Sequence, residues 1–271
     1  MKVLNGSELA DYIKERQAKQ VRALRQAHDV FPRLAIVQTI DDPVIDTYVR
    51  LKRRYGDDIL VEVDTYRLAE DSALEKIHEL NGDPTVHGII VQLPLADPVQ
   101  TDALVDAVLP EKDVDALGAS ATLDAATPMA INWLLAGFNV QLKGKGITIV
   151  GNGRLVGAPL ARLWRASGYN VTVVDEAVDD LAKVVQESDV IVTATGRPGL
   201  ITSSMLRPDT VVVDAATASD NGKIVGDLAA DVRDRHDLVL TPEKGGVGPL
   251  TVCALFDNVI RAARNTVPTE D

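Results

Sequence analysis

Residues 146–168 read GITIVGNGRLVGAPLARLWRASG and carry the clearest fold signal in the chain. A short buried strand runs into a glycine turn, and a helix with its own glycine stop follows. Gly151, Gly153 and Gly157 give the spacing G-x-G-x-x-x-G, one residue longer than the usual dinucleotide fingerprint. Such glycines let backbone N–H groups approach a pyrophosphate at a helix N-terminus. The alternative is a glycine turn needed only for packing.

The context of this turn favours a nucleotide site. Asp175 ends the next predicted strand, where a carboxylate can accept hydrogen bonds from an adenosine ribose. No GxxxxGK[ST] phosphate loop competes for the role. The predicted cofactor-binding residues are Gly151, Asn152, Gly153, Arg154, Val156, Asp175, Glu176, Thr195, Gly196 and Thr217.

The rest of the chain repeats the alternation of β-branched apolar runs with helical patterns. Strands are predicted at 34–40, 59–66, 87–93, 146–151, 170–175, 189–196, 210–217 and 238–242. Helices are predicted at 46–55, 72–83, 129–138, 156–168, 180–188 and 250–265. Alternation at this spacing predicts parallel sheets with helices on both faces.

A change of composition near the middle of the chain suggests two domains. Residues 110–128 are rich in small and polar residues and resemble a linker. We therefore predict an α/β fold of two domains: an N-terminal α/β domain (1–125 plus 251–271) and a Rossmann-like parallel-sheet domain (126–250). The C-terminal helix packs back on the first domain. We expect the ligand site in a cleft between the two, beyond the carboxyl ends of strands.

Composition excludes several classes of function. With 28 basic and 40 acidic residues among 271, the net charge is −12, which argues against binding to nucleic acid or to a membrane surface. The single cysteine, Cys253, and four scattered histidines argue against disulfides and against a metal site. The N-terminus turns polar by its fifth residue, and no apolar run approaches the roughly 20 residues of a membrane span. We expect a cytoplasmic protein.

Three polar residues of the first domain could meet at one edge of its sheet. Tyr48 and Lys52 are spaced i, i+4 on a predicted helix, and Gln92 ends a predicted strand. Each also has an ordinary interpretation: a surface lysine beside a tyrosine, and an amide that binds a loop. Asp113 and Asp115 fit a helix cap or a turn as well as a site. From the residues alone, the prediction is a dinucleotide-binding α/β enzyme with a second domain.

At these residues the chain resembles the bifunctional methylenetetrahydrofolate dehydrogenase/methenyltetrahydrofolate cyclohydrolase family. The resemblance is collinear over nearly the whole chain. The matching stretches are Tyr48-x-x-x-Lys52, HGIIVQLPLA (87–96), PEKDVDAL (110–117), TP (127–128), GNGRLVGAP (151–159), TGRPGLI (195–201), NGKIVGD (221–227) and GGVGPLT (245–251).

The resemblance implies an activity. The family oxidises methylene-tetrahydrofolate with NAD or NADP and hydrolyses methenyl- to formyl-tetrahydrofolate, without a metal. It also implies a homodimer with tetrahydrofolate derivatives as partners. The alternatives are a dehydrogenase that has lost hydrolysis, and a folate- or nucleotide-binding paralogue without turnover.

The resemblance also implies residue roles. Lys52 resembles the lysine that assists proton transfer in hydrolysis, and Gln92 the glutamine hydrogen-bonded to it. Tyr48 resembles the tyrosine that packs on the folate ring, and Asp115 the carboxylate that binds the pterin N–H edge. These four are the predicted catalytic residues. The other predicted substrate-binding residues are Val91, Leu93, Gly245, Gly246, Val247, Gly248 and Pro249.

Several positions depart from the family pattern. Ile45 replaces a serine, Ala116 a glycine and Lys244 a proline, and residues 213–218 read VDAATA. The turn also lacks an arginine that, together with small hydroxyls, surrounds the 2′-phosphate of NADP in relatives. Asp175 with its neighbour Glu176 places carboxylates there instead. We therefore predict a preference for NAD, although NADP is commoner among bacterial relatives.

Overall fold

A computed structural model describes residues 2–175, 178–220 and 223–268. The chain forms two compact units. The first unit consists of Asp11–Ala126 and Val252–Asp271, and the second of Met1–Ala10 and Thr127–Thr251. Among the helices of the described residues, none is long and apolar enough to cross a membrane.

Strands and helices alternate through both units. The strands are β1 (Lys2–Val3), β2 (Arg33–Gln38), β3 (Glu62–Arg67), β4 (Gly88–Val91), β5 (Ile147–Val150), β6 (Val171–Val174), β7 (Val190–Thr193), β8 (Val211–Asp214), β9 (Ala218–Asp220), β10 (Lys223–Val225) and β11 (Val239–Leu240). The α-helices are α1 (Gly6–His28), α2 (Pro43–Ile59), α3 (Ala73–Gly82), α4 (Thr101–Asp106), α5 (Ala126–Gly137), α6 (Gly157–Ala166), α7 (Leu181–Gln186), α8 (Ala230–Arg233) and α9 (Val247–Asn265).

The first unit is built on a parallel sheet with the strand order β3-β2-β4. The central strand β2 is apolar from Leu34 to Val37, and all four residues are fully buried. A strand covered on both faces carries continuous apolar residues rather than alternating ones, which is the pattern that the sequence shows. The predicted parallel α/β arrangement of this unit is confirmed.

Helix α2 begins and ends on recognisable signals. Its N-cap is Asp42, whose carboxylate accepts hydrogen bonds from the backbone N–H groups two and three residues later, at 2.8 and 3.0 Å. Pro43 follows in the first turn, where its missing N–H is not needed. The helix ends at Leu60, which adopts a left-handed φ of 66°.

This helix is longer than predicted, and the next strand is shorter. The sequence predicted a helix over 46–55 and a strand over 59–66. Ile59 instead belongs to the last turn of α2, and β3 begins at Glu62. Ile59 is fully buried. A buried apolar residue fits the end of a helix as well as the start of a strand, so its apolar character did not distinguish the two assignments.

The second unit contains a six-stranded parallel sheet in the order β1-β11-β8-β7-β5-β6. Lys2 and Val3 of β1 lie beside Val239 and Leu240 of β11. This pairing explains why residues 1–10 belong to the second unit, whereas the sequence division placed them in the first. A separate antiparallel pair of strands, β9 and β10, was not predicted.

The C-terminal helix α9 packs on the first unit through its second half. The ring of Phe256 lies 5.0 Å from that of Tyr55, centroid to centroid. Asn258 Nδ2 donates to the carbonyl oxygens of Val114 and Asp124, at 2.9 and 2.8 Å. The predicted return of this helix to the first domain is confirmed.

Candidate active site

Lys52 lies in the middle of the buried face of α2. Four other residues of that face are buried: Ile45, Val49, Gly56 and Ile59. Spacings of four, three, four and three residues place all five on one side of the helix. The alternative interpretation of Lys52, a lysine on a solvated helix face, is therefore wrong.

The ammonium group of Lys52 is hydrogen-bonded to the side chain of Gln92. Lys52 Nζ donates to Gln92 Oε1 at 2.8 Å, and both side chains are partly buried. Gln92 follows β4, and its Nε2 donates to the carbonyl oxygen of Leu93 at 2.9 Å. Because Nε2 is engaged there, the amide presents its oxygen to the lysine. The structure therefore brings together two of the predicted residues.

The loop that carries Asp115 is anchored by Lys112. Lys112 Nζ donates to the carbonyl oxygens of Leu80, Asn81 and Asp83, at 3.1, 2.9 and 2.7 Å. These carbonyls lie at the C-terminal end of α3, where a cation is favourable. The Lys112 carbonyl in turn accepts the N–H of Ile89 in β4, at 2.8 Å. Lys112 thereby ties the loop to the sheet.

We expect Lys112→Met to lower the free energy of unfolding by about 2 kcal/mol, because the three carbonyls lose a charged donor. Urea denaturation measured by far-UV circular dichroism checks this. Lys19→Met is the control, since Lys19 is exposed on α1, and a surface change of this kind stays within about 0.5 kcal/mol. Equal midpoints for the two variants would contradict the anchoring role.

The turn after Lys112 is shaped by Asp113. This buried carboxylate accepts the N–H groups of Leu117 and Gly118, at 3.4 and 2.9 Å. Burial raises the pKa of Asp113, and these backbone hydrogen bonds oppose the rise. Ala116 adopts a φ of 56°, a left-handed conformation that suits the glycine it replaces. Asp113 is thus the turn residue of the motif, as one interpretation of the sequence held.

Asp115 acts electrostatically on Lys52. Burial lowers the pKa of Lys52, and the negative charge of Asp115 opposes this shift. Burial likewise raises the pKa of Asp115, and the charge of Lys52 opposes that rise. Both groups are therefore displaced towards their neutral forms, so the amine is better able to release a proton near neutral pH than an exposed lysine is.

The other predicted residues of the first unit lie close in sequence to Lys52 or to Gln92. Tyr48 lies one turn before Lys52 on α2 and is partly buried. Val91 ends β4 and is buried, and Leu93 packs against the apolar core. The structure therefore brings Lys52 and Gln92 into direct contact, and Asp115 interacts with Lys52 through its charge.

The glycine turn of the second unit connects β5 to α6. Gly151 has a φ of 104°, and a Cβ there would lie 2.7 Å from the carbonyl oxygen of Ala194. A Cβ on Gly157 would clash with the carbonyl oxygen of Gly151, so helix and turn can approach closely only without side chains. Gly153, by contrast, faces open space. These are the roles that the three glycines of a dinucleotide turn perform.

The other predicted cofactor residues lie just beyond the carboxyl ends of neighbouring strands. Asp175 follows β6, Thr195 and Gly196 follow β7, and Thr217 follows β8. Asn152, Arg154 and Val156 belong to the glycine turn itself, where Asn152 and Arg154 are exposed. The prediction for Glu176 falls outside the described residues. Because these strands are parallel neighbours, the described residues share one edge of the sheet.

The predicted loop Gly245–Pro249 belongs to the second unit, unlike Lys52, Gln92 and Asp115. The N–H of Ser7 donates to the carbonyl oxygen of Gly245 at 3.1 Å, and Gly245 has a φ of 82°. Helix α9 begins within the loop, at Val247.

Two residues with clear structural roles were not singled out from the sequence. Lys112 belongs to the KDVD stretch, in which only Asp113 and Asp115 were considered, and Asp227 belongs to the NGKIVGD stretch, in which no residue was given a role. Within residues 2–175, 178–220 and 223–268, no group of three or more His, Cys, Asp or Glu side chains could hold a metal ion.

Both units match models of one protein family. Residues 4–115 match the tetrahydrofolate dehydrogenase/cyclohydrolase catalytic domain, and residues 125–267 match the NAD(P)-binding domain of the same family. Among curated relatives, the bifunctional protein FolD of Bordetella avium is 35% identical over 280 residues, which cover 98% of each chain.

Solved structures agree with these matches. The bifunctional FolD of Campylobacter jejuni has a TM-score of 0.91 at 31% identity and covers 98% of this chain and 99% of its own. The Trypanosoma brucei FolD, solved with NADP and an inhibitor, has a TM-score of 0.92 at 28% identity, with 98% of each chain covered. With both domains matched and the glycine turn and the Lys52–Gln92 pair in place, this chain belongs to the tetrahydrofolate dehydrogenase/cyclohydrolase family of enzymes.

Proposed function

We propose that this protein oxidises methylene-tetrahydrofolate with a nicotinamide nucleotide and hydrolyses the methenyl product to formyl-tetrahydrofolate. The hydrogen bond between Lys52 Nζ and Gln92 Oε1 carries the proposal. An amine whose pKa burial has lowered, held in place by an amide, is suited to proton transfer near neutral pH. The matched catalytic and NAD(P)-binding domains support both halves of the activity.

In hydrolysis, water adds to the methenyl carbon and one carbon–nitrogen bond breaks. The water loses both of its protons as its oxygen becomes the formyl oxygen: one passes to the leaving nitrogen, and the other is released, which balances the positive charge of the methenyl group. Lys52 performs this transfer, and Gln92 holds its amine in position. Asp115 keeps the pKa of Lys52 from falling further, and its second role is to accept N–H groups of the pterin. Tyr48 packs its ring on the folate.

In oxidation, the nucleotide supplies the hydride acceptor when it is bound, and the protein supplies positioning. The residues that hold it are those of the glycine turn and of the carboxyl ends of β6, β7 and β8. Gly153 fits this role because open space faces its backbone, so a pyrophosphate can come close. No proton transfer is required of Lys52 in this step.

An absorbance assay tests the proposal. Purified protein is mixed with methylene-tetrahydrofolate and either NAD or NADP, and the reduced nucleotide and methenyl-tetrahydrofolate are followed together. We expect the reduced nucleotide to grow while a methenyl species rises and decays. A methenyl species that accumulates without decay indicates a dehydrogenase alone. The absence of turnover with both nucleotides would indicate a binding protein and contradict the proposal.

We expect kcat/KM to favour NAD over NADP by about tenfold, since a carboxylate accepts from a ribose hydroxyl but repels a 2′-phosphate. Asp175, exposed at the end of β6, carries this preference. Steady-state kinetics with both nucleotides at fixed folate measure it. Asp175→Asn should raise kcat/KM with NADP and so reduce the ratio of kcat/KM with NAD to kcat/KM with NADP.

A rival arrangement makes Arg154 the ligand of the 2′-phosphate. In that case the wild-type ratio favours NADP, and Arg154→Ala weakens NADP more than NAD. A wild-type kcat/KM that favours NADP would overturn the preference for NAD, and a selective loss with NADP in Arg154→Ala would then identify Arg154 as the ligand of the phosphate.

The proposal also includes a homodimer in the cytoplasm, as the family resemblance implies. Light scattering from the purified protein at micromolar concentration tests the dimer, and a monomer mass contradicts it. Fractionation of the source cells tests the location.

A further inference from the structure

Two of the family stretches, TGRPGLI (195–201) and NGKIVGD (221–227), meet at one side chain, and the second of them has no role in the proposed function so far. Asp227 is fully buried. Its Oδ2 accepts the N–H of Thr195 at 2.8 Å and the hydroxyl of Thr193, and its Oδ1 accepts the N–H of Arg197 at 2.8 Å. Three donors from five consecutive residues therefore converge on one carboxylate.

The backbone around Asp227 is fixed as well. Its carbonyl oxygen accepts the N–H of Ile201 at 3.1 Å, and the carbonyl of Ile201 accepts the N–H of Ala229 at 2.8 Å. The N–H of Asp227 donates to the carboxylate of Asp214 at 3.1 Å, and the N–H of Leu228 to the same carboxylate at 3.3 Å. Asp227 is thus held in place on both sides while its carboxylate holds the neighbouring segment.

That segment is the turn after β7, where a bound nucleotide is expected. The carbonyl of Ala194 in this turn is the atom that forbids a side chain on Gly151, so the turn also packs against the glycine turn. Gly196, between the two N–H groups that Asp227 accepts, has a φ of 71° and faces open space. Asp227 therefore sets the backbone path of a turn that borders the nucleotide-binding edge.

A carboxylate is not the simplest way to fill this place. An apolar residue would bury no polar oxygens, but it would leave the N–H groups of Thr195 and Arg197 without an acceptor. A carboxylate has two oxygens, and each accepts an N–H from a different part of the turn. Asp227 therefore fixes the positions of both N–H groups at once.

We propose that Asp227 is a positioning residue for the nicotinamide nucleotide, acting through the turn Ala194–Arg197. The inference rests on the proposed function. Asp227 does not touch the nucleotide, and it holds the turn in the conformation that receives it. The turn on which cofactor affinity depends is thus shaped by a residue thirty or more positions further along the chain.

The variant Asp227→Asn tests this. An amide offers one acceptor oxygen in place of two, so at least one N–H of Thr195 or Arg197 faces an NH₂ group. We expect the Kd for NADH or NADPH, measured by fluorescence titration, to rise by about tenfold or more. KM for the oxidised nucleotide should rise in parallel, while kcat at saturation falls much less. Hydrolysis of added methenyl-tetrahydrofolate without nucleotide should not change.

Control variants separate positioning from stability. Asp180→Asn alters an exposed acid of the same unit that accepts the N–H of Lys183 at 3.0 Å at the start of α7, and it should leave nucleotide binding unchanged. Thr193→Val removes the hydroxyl that donates to Asp227 and should weaken binding, whereas Thr193→Ser keeps a hydroxyl and should restore it. Comparison of nucleotide binding by the two Thr193 variants tests the inference even if Asp227→Asn does not fold.

The outcomes are distinguishable. Wild-type affinity in Asp227→Asn, or in Thr193→Val if only that variant folds, overturns the inference. Equal losses of hydrolysis and of nucleotide affinity overturn it too, because they indicate a role in stability alone. If the wild-type protein binds neither NADH nor NADPH, the proposed function fails and the inference falls with it.

Discussion

Lys52→Met should reduce cyclohydrolase turnover by on the order of 10²–10⁴-fold, the usual contribution of a positioned acid or base. Methionine keeps much of the length and the apolar stem of lysine, so it fits between Val49 and Gly56 on the buried face of α2. The dehydrogenase should retain much more of its activity, because hydride transfer needs no proton carrier. The measurement is a comparison of methenyl-tetrahydrofolate hydrolysis with nucleotide reduction in the same preparation.

The pH dependence of hydrolysis provides a second test of Lys52. Burial lowers the pKa of its amine, so the free amine forms at a lower pH than in an exposed lysine. If the free amine accepts the proton of water, the rate rises with pH through this lowered pKa and then levels off. Lys52→Met should abolish that rise.

Arg53→Met is the matched control for Lys52→Met. Arg53 is the next residue on α2 and is exposed, so its loss should change neither activity by more than about twofold. If Lys52→Met reduces both activities equally, Lys52 only holds the substrate or the fold. If hydrolysis is unchanged, another group carries the proton.

The sequence identified the parts of the fold that depend on local patterns. The glycine turn at Gly151 was predictable because its backbone conformation and close packing exclude side chains. The parallel strands were predictable because burial on both faces leaves continuous apolar runs. The buried face of α2 could also be predicted from the sequence, because Lys52 lies at a spacing from Val49 and Gly56 that is typical of a buried apolar position. A charged residue on such a face is a signal of a site.

The ends of helices and strands, and pairings between strands distant in sequence, were harder to predict. Ile59 fits a helix end and a strand start equally well, and only the left-handed conformation of Leu60 separates the two. The membership of residues 1–10 in the second unit depends on the pairing of β1 with β11, more than 230 residues apart in sequence. Helix α1 was not predicted, although its pattern was readable: its buried apolar residues Ile13, Val21 and Leu24 lie on one face, and charged residues fill the others.

Site residues that act through other residues were the hardest to assign. Lys112 binds three carbonyls at the end of α3, and Asp227 binds two N–H groups after β7. Neither contact has a spacing rule, because both partners lie far away along the chain. The Lys52–Gln92 hydrogen bond was expected only from the family resemblance, and the structure supplies its geometry.

Asp115→Ala should weaken folate binding by roughly 1.5–3 kcal/mol for each charged hydrogen bond that the pterin loses, which is about 10²-fold or more if two are lost. The Lys112 anchor and the turn that Asp113 shapes hold this carboxylate, and the substitution touches neither of them. Nucleotide affinity should therefore be unchanged. Isothermal titration with a folate substrate and with NADH measures both affinities.

Asp115→Asn separates the charge of this residue from its shape. The carboxylate opposes the fall in the pKa of Lys52 that burial causes, so its neutralisation should lower that pKa further. The rise of the hydrolysis rate with pH should move to lower pH in this variant. Glu111 is an exposed acid of the same loop, so Glu111→Ala should change neither the pH profile of hydrolysis nor the folate affinity. Unchanged folate affinity in a folded Asp115→Ala protein would show that Asp115 is only a loop residue and that the pterin binds elsewhere.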